Sequence, residues 1–272
     1  MSIVSEIAES RELIVNLTLR ELRTRYRRSA LGWLWSLLNP LATVAIYTVV
    51  FKYFFKAPAP VGNPSGISNF AVYLLCGLLA WNYFNLTVNG AMGVLVANSG
   101  LIKKVYFPRE GLVISLIASS LISFLIELGV LLVILLLMGS NVLPWVPVVL
   151  LLVAIMTVFV TGLGLILSVL NVYFRDVQYL VGSILLQMLF YLTPIVYPIS
   201  FAYDATENNA VLRRLYTANP TVQFIEAFHR VLYDLRWPSL QNFAYLIAWS
   251  LGMLVLGMAV FRRFEPRLAE EL

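Results

Sequence analysis

The stretch GLVISLIASSLISFLIELGVLLVILLLM, residues 111–138, holds one ionisable side chain, Glu127, and closes on an unbroken apolar run from Leu131 to Met138. At a rise of about 1.5 Å per residue, a helix over it is long enough to cross the roughly 30 Å of a bilayer's hydrocarbon. Backbone groups in lipid must pair within the protein, which leaves helices or closed barrels, and a continuous rather than alternating apolar run selects the helix.

The same reading, carried outward, gives six spans near 31–55, 70–96, 111–138, 146–170, 177–199 and 240–261, and so an all-α, polytopic membrane protein. Composition agrees: 60% of the 272 residues are hydrophobic and 12% charged, against about a quarter charged in soluble domains. Pro40, Pro194 and Pro198 interrupt the apolar runs, where a kink or unwound turn must find partners inside the protein. The lone Cys76 lies in an apolar run, which excludes an intrachain disulfide and a cysteine metal site. The start MSIVSEIAES lacks the parts of a cleaved secretory signal, so the first span is expected to act as its own targeting signal.

Basic residues set the orientation. With the N-terminus inside, the cytoplasmic pieces gather Arg11, Arg20, the cluster Arg23, Arg25, Arg27 and Arg28, then Lys103, Lys104, Arg109, Arg175, Arg262, Arg263 and Arg267. The other face keeps Lys52, Lys56, Arg213, Arg214, Arg230 and Arg236. The bias predicts both termini in the cytoplasm, with Trp33 and Trp35 in an interfacial belt at that face.

Residues 1–30 place Ile7, Ile14 and Leu17 on one helical face and Glu6, Glu9 and Arg20 elsewhere, predicting an amphipathic helix on the inner leaflet ahead of a transmembrane domain over 31–272. The arginine cluster then anchors the topology, meets the headgroup of a phosphate-bearing lipid-linked substrate, or does both. The cytoplasmic connection 98–110, NSGLIKKVYFPRE, is rich in large apolar side chains for a loop; Val105, Tyr106 and Phe107 either tuck into the headgroup region or meet a protein partner. The second connection, 171–178, sets Arg175 beside Asp176 among aromatics and reads at its simplest as an inward anchor.

On the outer side, 200–239 is too polar to span. Asn219 caps a predicted helix with Pro220 first, and Phe224, Phe228, Val231 and Leu235 share one face, as expected of a helix resting at the outer interface or lining an exit. His229, the only histidine, reads there as a solvated interfacial residue. Within the spans, Glu127 lies roughly 17 Å from the outer end of its helix. It must face the bundle interior, as a protonated carboxyl tying helices together or as a gating or proton site. Tyr47, Phe51 and Phe54 share a face of the first span, and Phe190, Tyr191 and Tyr197 crowd the end of the fifth; such aromatics pack helices, or let a ligand slide past by tolerant stacking. The phosphate-binding G-x-x-x-x-G-K-[ST] loop is absent, as are HExxH, GxSxG and any metal-ligand or acid–base constellation, so the chain is expected to be no enzyme and to bind no cofactor.

Five strings in order, YRRSALGWLWSLLNPLATVAIYTVVF, LIKKVYFPRE, NVYFRDV, LTPIVYP and NPTVQFIEAFHRVLY, resemble the ABC-2 type permeases that export polysaccharides such as O-antigen, teichoic acid and capsule. The resemblance covers nearly the whole chain. It implies a homodimer of six-helix subunits in the bacterial inner membrane, each docked to a separate ATP-binding cassette subunit that carries ATP and Mg, with no nucleic acid involved. It makes Leu101, Ile102, Lys103, Lys104, Val105, Tyr106, Phe107, Pro108 and Arg109 the element seated in that ATPase. It also implies short outer gate helices after LTPIVYP, a polyprenyl-diphosphate-linked polysaccharide sliding past aromatics such as Tyr47, Phe51 and Tyr191, and Arg23 to Arg28 near its diphosphate. An ABC-2 type permease for a drug or small lipid is the alternative, followed by a non-transporting scaffold and an intramembrane enzyme.

Overall fold

The computed structural model describes residues 11–25, 34–54, 59–105 and 107–272, and among these every regular element is helical. α1, Arg11–Arg25, precedes α2, Leu34–Thr48, which continues through a π-helical stretch, Val49–Phe54. α3, Phe70–Ala97, is followed by the single turn α4, Ser99–Ile102, and by α5, Glu110–Leu137. α6 covers Val146–Tyr173. α7, Asp176–Tyr179, runs through a π-helical stretch, Leu180–Leu185, into α8, Leu186–Leu192. Then come α9, Ile199–Ala205, α10, Ala210–Thr217, and α11, Pro220–Phe228, which continues as a π turn, His229–Tyr233. α12, Leu240–Phe264, and the last turn α13, Leu268–Glu271, complete the chain.

Among the described residues, four helical stretches are long and apolar enough to cross a membrane: Phe70–Ala97, Glu110–Leu137, Leu143–Tyr173 and Leu240–Glu271. The expected first and fifth spans are present as shorter apolar helices, Leu41–Phe51 and Asp176–Leu192. The fifth stops seven residues short of its predicted end at 199 because Thr193 turns extended (ψ 141°) ahead of Pro194, which disfavours helical backbone before it. Pro198 is likewise extended, whereas α2 runs straight through position 40.

Local chemistry explains the boundaries. Asn69 caps α3 by accepting from the N–H groups of Ala71 and Val72 at 3.0 and 3.3 Å. Gly139, at φ +81°, ends α5 in the left-handed conformation, with Ser140 N–H donating to Leu135 O and Gly139 N–H to Leu136 O. That pair of bonds satisfies carbonyls a helix C-terminus otherwise strands. Within the spans, Thr87, Ser115, Thr157, Thr161 and Ser168 donate to carbonyls three or four residues back, so their hydroxyls bury without loss.

α3 forms the centre, packed against α2, α5, α6 and the 220–233 segment, with Leu74, Ala80, Val88, Ala91, Met92 and Leu95 fully enclosed. α12 lies along α6, where Gly162 and Gly257 bring the two backbones into direct contact. Trp145 packs at a tilt against Trp237 (ring centroids 5.7 Å apart) at the other end of this pair.

α1 packs on α5 through the buried Leu17 and Leu22, while its Val15 and Leu19 stay exposed. Ile7, Glu6 and Glu9 lie outside the described residues. Two expectations are corrected. The 220–233 segment does not rest at an interface; Phe224, Phe228 and Val231 are at most 1% exposed, wedged among α3, α6 and α12. Leu235 does not continue its helical face, because at φ 58° it takes the left-handed closing position usually held by glycine, with Arg236 N–H bonded to Arg230 O. An apolar stripe signals burial, and neither sequence pattern distinguishes lipid from a neighbouring helix as the cover.

Candidate functional site

The connection 98–110 is built onto the end of α3. Asn98 donates through Nδ2 to Val94 O (2.8 Å) and lends its own carbonyl to Leu101 N–H and Ile102 N–H, so α3 passes into α4 without slack. Arg20 of α1 donates to Asn98 Oδ1 at 2.7 Å. Ile102 and Phe107 point inward, at 4% and 8% exposure, while Lys103, Lys104 and Val105 face out and Leu101, Pro108 and Arg109 are half-buried. Arg109 donates to the Glu265 carbonyl, tying the connection to the C-terminal turn. Tyr106 lies outside the described residues. The loop therefore offers a short basic and apolar rim held by a buried base.

In the second connection Phe174, Arg175 and Asp176 are exposed, and Asp176 sits in the first turn of α7, where a carboxylate favours the helix dipole. Arg23 is exposed on α1; Arg25 ends that helix, and Arg27 and Arg28 fall outside the described residues.

The aromatic residues expected to share a path partly converge. Tyr47 stacks on Phe51 (6.1 Å) and Phe51 on Phe70 (5.3 Å). Phe190 packs between Trp81 and Tyr191. Tyr197 is held from both sides, donating to Tyr191 O and receiving the Tyr73 hydroxyl at its carbonyl. Phe54 is 75% exposed and stands apart as the outermost member of its face. Glu127 is half-buried on α5 beside the buried Leu128.

One feature escaped the periodicity reading. Tyr179, Ser183, Gln187 and Tyr191, four residues apart, are all exposed on the Asp176–Leu192 helix. In an α-helix, three steps of four residues drift around the axis by roughly 120°. The π-helical stretch Leu180–Leu185 has more residues per turn and cancels much of that drift, keeping hydroxyls and an amide on one strip. Such groups at membrane depth need protein or water beside them, since lipid cannot pair with them.

The ABC-2 type transporter pattern matches residues 12–233. The chain belongs to the ABC-2 type transporter family. It is 31% identical over 272 residues to the O-antigen export system permease protein RfbA of Myxococcus xanthus, covering 99% of each chain. It is 30% identical to an O-antigen export permease RfbA of Klebsiella pneumoniae, over 96% of this chain and 95% of that one. It is 27% identical to the polysialic acid transport protein KpsM of Escherichia coli, over 92% of both.

In the 220–233 wedge of this ABC-2 type chain the structure reverses the reading of His229. The residue is 3% exposed, its ring stacked on Tyr73 at 4.1 Å, with Nε2 3.0 Å from Tyr73 O. A carbonyl only accepts, so Nε2 carries a proton, while Nδ1 is buried without a hydrogen-bond partner and burial disfavours the charged ring. Gly77 makes the approach possible, since a Cβ there would stand 2.7 Å from Nε2. Nearby, burial raises the Glu226 carboxyl above its ordinary range, opposed by Arg230 at 2.8 Å. Tyr233 donates to Pro60 O and receives Asn69 N–H, clamping the end of the wedge to the loop before α3.

Burial lowers the His229 pKa to about 4, outweighing the hydrogen bond to Tyr73, which acts the other way. The undocked ring, with its ordinary pKa near 6.5, takes up a proton that the docked ring refuses, so stability falls as pH drops below 6.5 and is flat above about pH 7. Docking of the wedge should weaken by about 2 kcal/mol between pH 7 and pH 5, at roughly 1.4 kcal/mol per pH unit below 6.5. Thermal melts in detergent at the two pH values check this against His229→Phe, which should lose most of the pH dependence; equal dependence in both proteins excludes the assignment.

Proposed function

We propose that this chain is the membrane subunit of an ATP-driven exporter that carries a polyprenyl-diphosphate-linked cell-envelope polysaccharide outward across the bacterial cytoplasmic membrane. The observation that carries the reading is that two shorter apolar helices, 34–54 and 176–192, accompany the longer ones and that the second leaves Tyr179, Ser183, Gln187 and Tyr191 uncovered. Counted with the four longer helices, they make six spans with both termini inside. Lipid gives the strip Tyr179, Ser183, Gln187 and Tyr191 no hydrogen bonds. A second copy of the chain, enclosing a wet passage between two such faces, satisfies it. Hydroxyls, amides and tolerant stacking surfaces suit a sugar chain that must slide without being held. The end-to-end likeness to O-antigen and polysialic acid exporters supports this cargo over a drug or small lipid.

Energy comes from two separate ATP-binding cassette subunits, which hold ATP and Mg and seat the 101–109 connection. Closure of those subunits pushes on the connection and rocks the two membrane halves apart, a two-state bundle biased by a remote binding event. The basic end of α1, with Arg23 and the arginines that follow it, meets the lipid diphosphate at the inner face.

Deleting the gene is expected to leave lipid-linked polymer stranded in the cytoplasm and to strip it from the cell surface, with both restored by the wild-type chain. Unchanged surface polymer in the deletion strain would rule out the polysaccharide and leave the small-lipid reading.

A further inference from the structure

Asn171, in the last turn of α6, is 1% exposed, yet carries an amide. Its Nδ2 donates to Met92 O of α3 at 2.8 Å, and its Oδ1 receives Gln178 N–H at 3.2 Å. That N–H is among the first of the helix beginning at Asp176, groups with no partner inside their own helix. One side chain thus stitches the ends of three elements.

The contact continues along the helices. A Cβ on Gly93 would lie 3.9 Å from Gln178 Nε2, and one on Gly182 would lie 2.5 Å from Asn89 Oδ1. Positions 93 and 89 on α3 thus face 178 and 182 on the antiparallel helix, one turn apart. Asn89 is itself held by Asn85, whose carbonyl and Oδ1 it reaches at 3.1 and 3.0 Å. Gly182 lies within the π-helical stretch, so its missing side chain lets the amide of Asn89 lodge against the backbone there.

We propose that Asn171 is a positioning residue that fastens the head of the Asp176–Leu192 helix to α3, so that the two cytoplasmic connections and the polar strip move as one lever. Met92 lies about 9 Å along α3 from Asn98, at a helical rise of 1.5 Å per residue, and Asn98 is where the 99–102 turn begins. A push on Lys103 to Val105 travels up α3 as a hydrogen-bonded rod, crosses at Asn171 and reaches the helix that carries Ser183 and Gln187. An apolar residue at 171 would fill the space; the amide adds direction, because a buried amide left half-bonded is costly.

The transport consequence rests on the exporter reading above, whereas the linkage is testable without it. In the full chain assembled with its ATPase partner, the pair Gly93→Cys and Gln178→Cys is expected to form a disulfide on mild oxidation. Asn171→Ala should lower that yield. A yield unaffected by Asn171→Ala overturns the linkage even if export is confirmed. Asn171→Ala should also cut surface polymer about tenfold, while ATP hydrolysis by the assembled exporter and the amount of chain in the membrane stay near wild type. Cross-linking 93 to 178 should leave wild-type export intact and restore export to Asn171→Ala, which a merely structural role at 171 would not predict. Loss of export on cross-linking the wild type, or export falling only in step with chain abundance in Asn171→Ala, overturns the lever. A wild-type chain that moves no polymer sinks the exporter reading and with it the transport arm, and the disulfide yield still decides the linkage.

Discussion

Gly162→Ala is expected to lower the melting temperature of the purified chain by on the order of 10 °C, and Gly257→Ala to do the same. The two residues lie where α6 and α12 touch backbone to backbone: a Cβ on Gly257 would stand 2.8 Å from Gly162 Cα, and one on Gly162 would strike the Met253 carbonyl. A side-chain clash can be relieved by a rotamer change, but here the obstacle is main chain and the helices must separate. Overpacking in cores typically costs about 1–3 kcal/mol, and the upper end applies where nothing flexible can yield. Gly252 sits on the same helix with open space around its missing Cβ. Gly252→Ala should therefore be neutral to within about 0.5 kcal/mol. If Gly162→Ala melts with the wild type, the helices do not cross at this contact.

Replacing Lys103, Lys104 and Val105 together with alanine should reduce surface polymer at least about tenfold, the effect of removing a small cluster of interface anchors, while the chain still inserts at its normal level. All three are exposed, so their loss leaves the bundle's packing untouched. The choice of residues depends on the structure. Phe107, an equal candidate in the sequence, is 8% exposed and packed in the core. Phe107→Ala should cost about 3–5 kcal/mol in folding and reduce the chain itself, obscuring any coupling defect. Co-purification of the ATPase subunit separates the two effects: the triple variant should be made in full and fail to retain the ATPase. Normal export by the triple variant would remove the 103–105 rim from the coupling role.

The helical class was legible because a membrane leaves the backbone so few options. Runs such as Leu131 to Met138 admit a helix and little else, and the cap at Asn219 and the proline after it are short-range signals that act within a few residues. The five strings that carried the family resemblance were equally visible. The environment of each apolar face was not. Leu17, Phe228 and His229 carry no mark in the chain telling whether lipid, water or another helix will cover them. The row from Tyr179 to Tyr191 was hidden for another reason, since its alignment depends on a π-helical stretch that shifts the phase a regular wheel assumes.

By itself the sequence determined that this chain forms apolar helices in a bilayer, where all but the fifth begin and end to within a few residues, and which family it belongs to. Those outcomes follow from local backbone pairing and from the length of the oily runs. Tertiary structure alone decided that the 220–233 segment is a buried wedge, that Gly162 and Gly257 let two backbones meet, and that Asn171 joins three helix ends. Each of these depends on groups far apart in the chain coming within a few ångströms, a condition that only the packed bundle sets.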